Sequence, residues 1–230
     1  WTGSVVRGHD SRWWLFYTGA TQVDDKIRQT IGAATSTDLE TWDKEPTAPL
    51  VAADDRWYER LGGGDWYEEA WRDPWVFADP GGDGWHMLIT ARANHGPDDD
   101  RGVIGHAHSP DLRRWEVRPP LSTPGSGFGH IECPQIASVD GRLVLVFSCL
   151  DPQFSAARRA TPGIVVSRSR WLTKGPCHRA APPHVQELFA PLLAQGRAEV
   201  DVRGREAVSA HVGLRQGRID LEEAGDSLLL

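Results

Sequence analysis

The feature that most constrains this chain is that it repeats itself. Residues 13–19 read WWLFYTG and residues 85–91 read WHMLITA. Each is followed by a loop and a matching phrase, IGAATSTDLETW at 31–42 and IGHAHSPDLRRW at 104–115. The offset is about 72 residues, and each copy closes on Ser-x-Asp-Leu-x-x-Trp. A period of that length points to stacked supersecondary units rather than to one sandwich. Inside a unit, short strands alternate with turns: SVVRG, WWLFYTG, RQTIGAATS and then the Trp phrase in the first, with DPGGDG as a turn in the second. A third unit opens at ECPQIASVDGRLVLVFSCL, with VDGR as its hairpin turn. Four short antiparallel strands per unit, repeated around an axis, spell an all-β propeller. One domain over residues 1–230 is expected, with blade-like units beginning near 1, 71 and 130. Residues 150–230 are irregular: APPHVQELFAPLLAQ at 181–195 has a helical rhythm in its later half, and the segment after it supplies two or three strands.

Charge and composition remove several classes of function. The formal net charge is -7 and no lysine-rich arm stands out, which argues against a nucleic-acid partner. Apolar runs such as LVLVF at 143–147 are far too short to span a bilayer, so no membrane partner is expected. The three cysteines, Cys133, Cys149 and Cys177, show neither zinc spacing nor a disulfide framework and suit a reducing compartment. With no signal-like segment at the start, a cytoplasmic location is expected. The nine histidines offer no metal-ligand set, and Asp98, Asp99 and Asp100 read as a solvated loop rather than a calcium site. Eleven Trp against three Tyr and six Phe is unusual. Such a bias suits a sugar ligand, which favours flat apolar faces; the plainer reading is that the rings fill the space between packed sheets.

The chemistry is sought where first strands begin, because in a propeller their equivalent ends gather around the central channel. Asp73, in WRDPWVF at 71–77, and Glu132, in GHIECPQI at 129–136, are expected at matching places on adjacent blades. Paired carboxylates over one pocket are the usual apparatus of glycoside hydrolysis. The plain alternatives are an Asp-Pro turn for Asp73 and a surface acid at a strand start for Glu132.

Taken together, WRDPWVF resembles the Arg-Asp-Pro motif of glycoside hydrolase family 32, and IECPQI resembles its Glu-Cys motif. WTGSVV and LFYTG are similar to family stretches on the preceding blade, so the likeness covers residues 1 to about 150. The family contains invertases, levanases, inulinases and fructosyltransferases, all five-bladed propellers. The resemblance implies that Glu132 is the general acid/base and that Asp73 stabilises the transition state. Arg72 is then a substrate-binding or carboxylate-fixing residue, Cys133 tunes Glu132, and Trp1, Ser4 and Trp71 lie near the fructose pocket. No cofactor is implied. The family's nucleophile comes from an Asp-Pro motif on the first blade, upstream of WTGS, and no residue here matches it. The expectation is a five-bladed propeller incomplete in this chain, its first blade missing. An open ring exposes sheet edges, and a homodimer is one way of covering them. The expected reaction is retaining hydrolysis of terminal β-D-fructofuranosyl linkages in sucrose or fructans. Fructosyl transfer, a pentoside-acting relative and a non-catalytic carbohydrate-binding propeller are the alternatives.

Overall fold

A computed structural model describes residues 2–47, 49–139, 142–159, 212–215 and 218–221. Strands β1 (Gly3–Arg7), β2 (Trp13–Val23), β3 (Lys26–Ser36) and β4 (Asp43–Lys44) form the first sheet as an antiparallel meander. A two-residue strand β5 (Glu68–Glu69) joins the same sheet, parallel to the start of β3. The second sheet repeats the plan with β6 (Trp71–Ala78), β7 (Trp85–Arg92), β8 (Gly102–Ser109) and β9 (Glu116–Arg118). The third begins with the hairpin β10 (Glu132–Val139) and β11 (Arg142–Ser148), and a further hairpin pairs β12 (Val212–Arg215) with β13 (Arg218–Leu221). The segments 181–195, read as partly helical, lie outside the described residues. Among the described residues the one α-helix is a single turn, Ala156–Arg159, and no helix is long and apolar enough to cross a membrane.

The second sheet is packed on both faces, and its sequence shows why. All eight residues of β7 are buried. Met87, Ile89 and Ala91 join a core with Trp14, Phe16 and Ile31 of the first sheet, while Leu88 joins Ile131 and Leu145 of the third on the opposite face. Alternating side chains of a strand point to opposite faces, so a strand between two sheets carries core residues on both. In WHMLITA the apolar side chains do so, and His86 and Thr90 are buried as hydrogen-bonded polar groups. Five tryptophans, Trp14, Trp57, Trp71, Trp85 and Trp115, are spent on or against the first of these cores. Trp71 lies so close over β8 that a Cβ at Gly105 would meet its ring at 3.2 Å, which explains a glycine in mid-strand.

The repeated Ser-x-Asp-Leu-x-x-Trp is a turn that holds itself together. Ser36 Oγ accepts from Asp38 N–H at 3.1 Å, and Ser109 Oγ from Asp111 N–H at 3.2 Å. Asp38 Oδ1 accepts from the N–H groups of Glu40 and Thr41, and Asp111 Oδ1 from those of Arg113 and Arg114. Leu39 and Leu112 both sit in the left-handed region, at φ 68° and 65°. Trp42 and Trp115 then donate their indole N–H to the carbonyls of those leucines. Each element of the motif therefore has a bond to make, and the spacing is the length of the turn.

Candidate active site

The site forms where β6 and β10 start, because both strands carry the same irregularity. On β6 the register passes from Arg72↔Thr90 to Trp75↔Leu88, and on β10 from Glu132↔Ser148 to Gln135↔Val146. In each case two residues oppose one, a β-bulge. The bulged residues are Asp73 (φ 56°) and Cys133 (φ 50°), each followed by a proline that has no N–H to give to the ladder. The matched positions are thus Asp73 with Cys133 and Arg72 with Glu132. This corrects the expectation that Asp73 and Glu132 hold matching places on the two strands: they stand one residue apart in the aligned positions. The bulge also serves the chemistry. Neighbours on a regular strand point apart, yet here Arg72 Nε lies 3.5 Å from Asp73 Oδ2.

Arg72 is the hub. Its side chain is 4% exposed, and it pairs with Glu132 Oε1 at 2.6 Å and Glu68 Oε1 at 2.8 Å. It also donates to Gln29 Oε1 at 3.3 Å and meets His130 Nδ1 at 2.7 Å. Gln29 in turn donates to Glu68 Oε2 and accepts from the Trp71 N–H. Burial works against the Arg72 charge, but Glu68 and Glu132 outweigh it and its pKa is raised. His130 is fully buried, and burial together with the charges of Arg72 and Arg92 pulls its pKa down to about 2. It is a neutral ring whose Nδ1 accepts from Arg72. Three carboxyl groups around one guanidinium leave the pocket with excess negative charge, which favours a cation developing beside it.

Asp73 is held from four sides. Oδ1 accepts from Thr2 N–H at 3.0 Å and Thr2 Oγ1 at 3.1 Å, and Oδ2 accepts from Thr90 Oγ1 at 3.0 Å beside Arg72. Its own N–H donates to Thr18 Oγ1 on β2. Glu132 accepts a second bond, from Gln153 Nε2, and its side chain is 19% exposed against 3% for Asp73 and 6% for Glu68. It is therefore the carboxyl of this network most able to meet an incoming oxygen. Cys133 Sγ lies 3.5 Å from Thr2 Oγ1, and burial raises its pKa, so it is a thiol rather than a nucleophilic thiolate at neutral pH.

The structure brings Arg72, Asp73, Glu132 and Cys133 together. Ser4 is placed beside them as a fastener, its Oγ accepting from Val76 N–H at 3.0 Å. Trp71 is not at the pocket. It is 0% exposed and packs edge-on to Tyr58 at 4.8 Å, because alternation sends it to the face opposite Arg72. Trp1 lies outside the described residues. Sequence reasoning missed Gln29, Glu68, Thr90, His130 and Gln153, which carry no local signature. Two other readings need correction. Asp98–Asp100 are not a solvated loop: Asp98 pairs with Arg92 at 3.1 Å, Asp99 accepts from Ala156 N–H, and Asp100 accepts from the N–H groups of Gly127 and Phe128. The histidines were expected to offer no metal-ligand set, yet His86 and His108 face each other across β7 and β8, with Asp79 beside them.

Solved structures share this architecture. A Microbacterium saccharophilum β-fructofuranosidase variant superposes with a TM-score of 0.56 at 19% identity, over 68% of this chain and 37% of that one. An inulosucrase from Halalkalicoccus jeotgali bound to kestose gives 0.54 at 24% identity, over 68% and 44%. A Bombyx mori GH32 β-fructofuranosidase in complex with sucrose gives 0.50 at 22%, over 65% and 30%. This chain thus spans less than half the length of each of these neighbours, and at such identities the likeness is one of fold. A search of curated protein sequences finds no match. The model of the glycosyl hydrolases family 32 N-terminal domain matches residues 1–170. The chain belongs to glycosyl hydrolase family 32, whose N-terminal domain is a five-bladed β-propeller of which this chain covers part.

Proposed function

We propose that this chain contributes the acid/base half of a fructosidase site, acting on terminal β-D-fructofuranosyl linkages of sucrose or fructans. The observation that carries this reading is the Arg72 guanidinium bridging Asp73 and Glu132 at the bulged starts of two consecutive sheets. In the proposed reaction Glu132 gives its proton to the leaving oxygen as the glycosidic bond breaks, then takes a proton from the attacking water. Asp73 faces the oxocarbenium-like transition state, with fructosyl hydroxyls taking the place of Thr2 at Oδ1. Arg72 holds both carboxyl groups in place. A retaining reaction also requires a nucleophile. Among the described residues the third carboxyl at Arg72 is Glu68, both of whose oxygens are already bound, by Arg72 and Gln29, and it is not assigned that role.

The test compares the 230-residue chain with its Glu132→Gln variant for fructose release from sucrose and from kestose. Gln keeps an oxygen for Arg72 and Gln153 but has no proton to transfer, so a loss of at least ~100-fold is expected. A variant that retains its activity overturns the role of Glu132. Sugar binding that Glu132→Gln leaves unchanged, with no fructose release from either substrate, favours a binding propeller over the acid/base role.

A further inference from the structure

The end of the second sheet remote from the sugar site carries a cluster that the proposed reaction does not use. Asp79 lies in the turn after β6, His86 near the start of β7 and His108 near the end of β8, opposite His86 in register. Each offers one ligand atom, and these atoms all lie within 4.8 Å of one another. From Asp73 the cluster is six residues along β6, about 20 Å at the rise of a strand. We propose that Asp79, His86 and His108 form a site for one divalent transition-metal ion, with zinc the best match.

Four observations support the assignment. The first is chemical: two imidazoles and a carboxylate suit zinc-like ions, whereas calcium and magnesium prefer all-oxygen sets. The second is burial. His86 is 2% exposed, so its ring is held in place by packing and has little water to displace. The third is orientation. Asp79 Oδ1 accepts from the Gly81 N–H and so fixes the carboxyl, while Oδ2 lies 2.8 Å from His86 Nε2. The fourth is the support behind the rings: His86 Nδ1 meets His106 Nε2 at 3.0 Å, and His108 Nε2 meets the Asp83 carbonyl at 2.6 Å. Metal-binding histidines characteristically engage their second nitrogen in this way. Among the described residues one cation stands nearby, Arg118, whose Nη2 is 3.4 Å from His108 Nδ1 and which is also bound to Glu116. Metal capture turns Arg118 fully onto Glu116. Three protein ligands leave a fourth position for water, and the ion clips the Asp79–Gly84 turn to β8.

The test uses the 230-residue chain, stripped of metal with a chelator and titrated with Zn²⁺ alone against a competing chromophoric chelator. One equivalent is expected to bind, with a rise in Tm of roughly 5 °C at saturation. His108→Gln, at a half-buried position, and Asp79→Asn are each expected to weaken binding by at least ~10-fold and to abolish the rise in Tm. Tryptophan fluorescence confirms that both variants fold. Two results overturn the proposal: no uptake by the parent chain, or uptake that neither substitution weakens, which places the ion on other histidines or cysteines.

Discussion

Replacing His130 by Asn asks whether the site depends on an imidazole that stays neutral. The ring is fully buried, stacks against Trp66 at 4.2 Å between centroids, and presents Nδ1 to Arg72. Its folded pKa, about 2, lies below the ordinary 6.5. Between those values the unfolded chain binds a proton that the folded chain refuses. Stability from this group is therefore fully present above pH 6.5 and is lost progressively as pH falls. At pH 5 the unfolded imidazole is 1.5 pH units below its ordinary pKa, worth about 2 kcal/mol in favour of unfolding, against about 0.2 kcal/mol at pH 7. Asn keeps an oxygen acceptor for Arg72 and removes the titrating ring. The variant loses about 1–3 kcal/mol at pH 7 through the lost ring packing. Its further loss between pH 7 and pH 5 is then about 2 kcal/mol smaller than that of the parent. His86 also has a lowered pKa, through burial, but it titrates in both proteins and cancels in the comparison. The assay is urea unfolding followed by tryptophan fluorescence at pH 7, 6 and 5. Equal pH dependence in the two proteins refutes the reasoning, since it requires an imidazole that is protonated inside the fold or exposed to water.

Two further substitutions probe the frame around the site. Glu59 is buried between Arg92 at 2.9 Å and Arg101 at 2.6 Å, and both arginines also pair with the more exposed Asp98, so Glu59→Gln weakens their pairing and is expected to cost about 1.5–3 kcal/mol in the same unfolding assay. The paired turns allow an internal comparison. Leu39 is 36% exposed and Leu112 is 1% exposed, although both have φ near 65°. Leu39→Gly is expected to change stability by less than about 1 kcal/mol, because relief of the left-handed strain offsets the added freedom of the unfolded chain. Leu112→Gly removes a core side chain as well and is expected to cost about 2–5 kcal/mol, measured as a shift in the urea midpoint at constant slope.

What the sequence disclosed is what local chemistry writes into it. The Ser-x-Asp-Leu-x-x-Trp turn is legible because all its bonds lie within seven residues, and the largely apolar β7 is legible because both faces of its sheet are covered. Arg72, Asp73, Glu132 and Cys133 stand in two short motifs and could be named. Their partners could not. Gln29 reaches Arg72 from β3, and Thr90 reaches Asp73 from β7, so each depends on a pairing register that no single stretch encodes. The equivalence of Asp73 with Cys133 was missed because the two carboxyl groups, one residue apart in the aligned motifs, meet through Arg72 and not through matching positions. Trp71 was misplaced for the related reason that adjacency to a site residue in a strand means the opposite face. The three aspartates at 98–100 looked solvated because Gly127, Phe128 and Ala156, which they hold, are distant in sequence, while Arg92 reaches Asp98 from the end of β7.

One guanidinium touches three sheets: Gln29 belongs to the first, Arg72 itself to the second and Glu132 to the third. It works as a rivet whose head is also the working surface. The two carboxyl groups become neighbours only after the sheets have docked at the right rotation, so a chain caught half assembled has no dyad to misuse. The same arrangement ties the angle between sheets to the proposed reaction. A drift in stacking that the apolar cores could absorb would still pull Glu132 away from Arg72, and selection for sugar chemistry would thereby act as selection for quaternary-like alignment within a single chain.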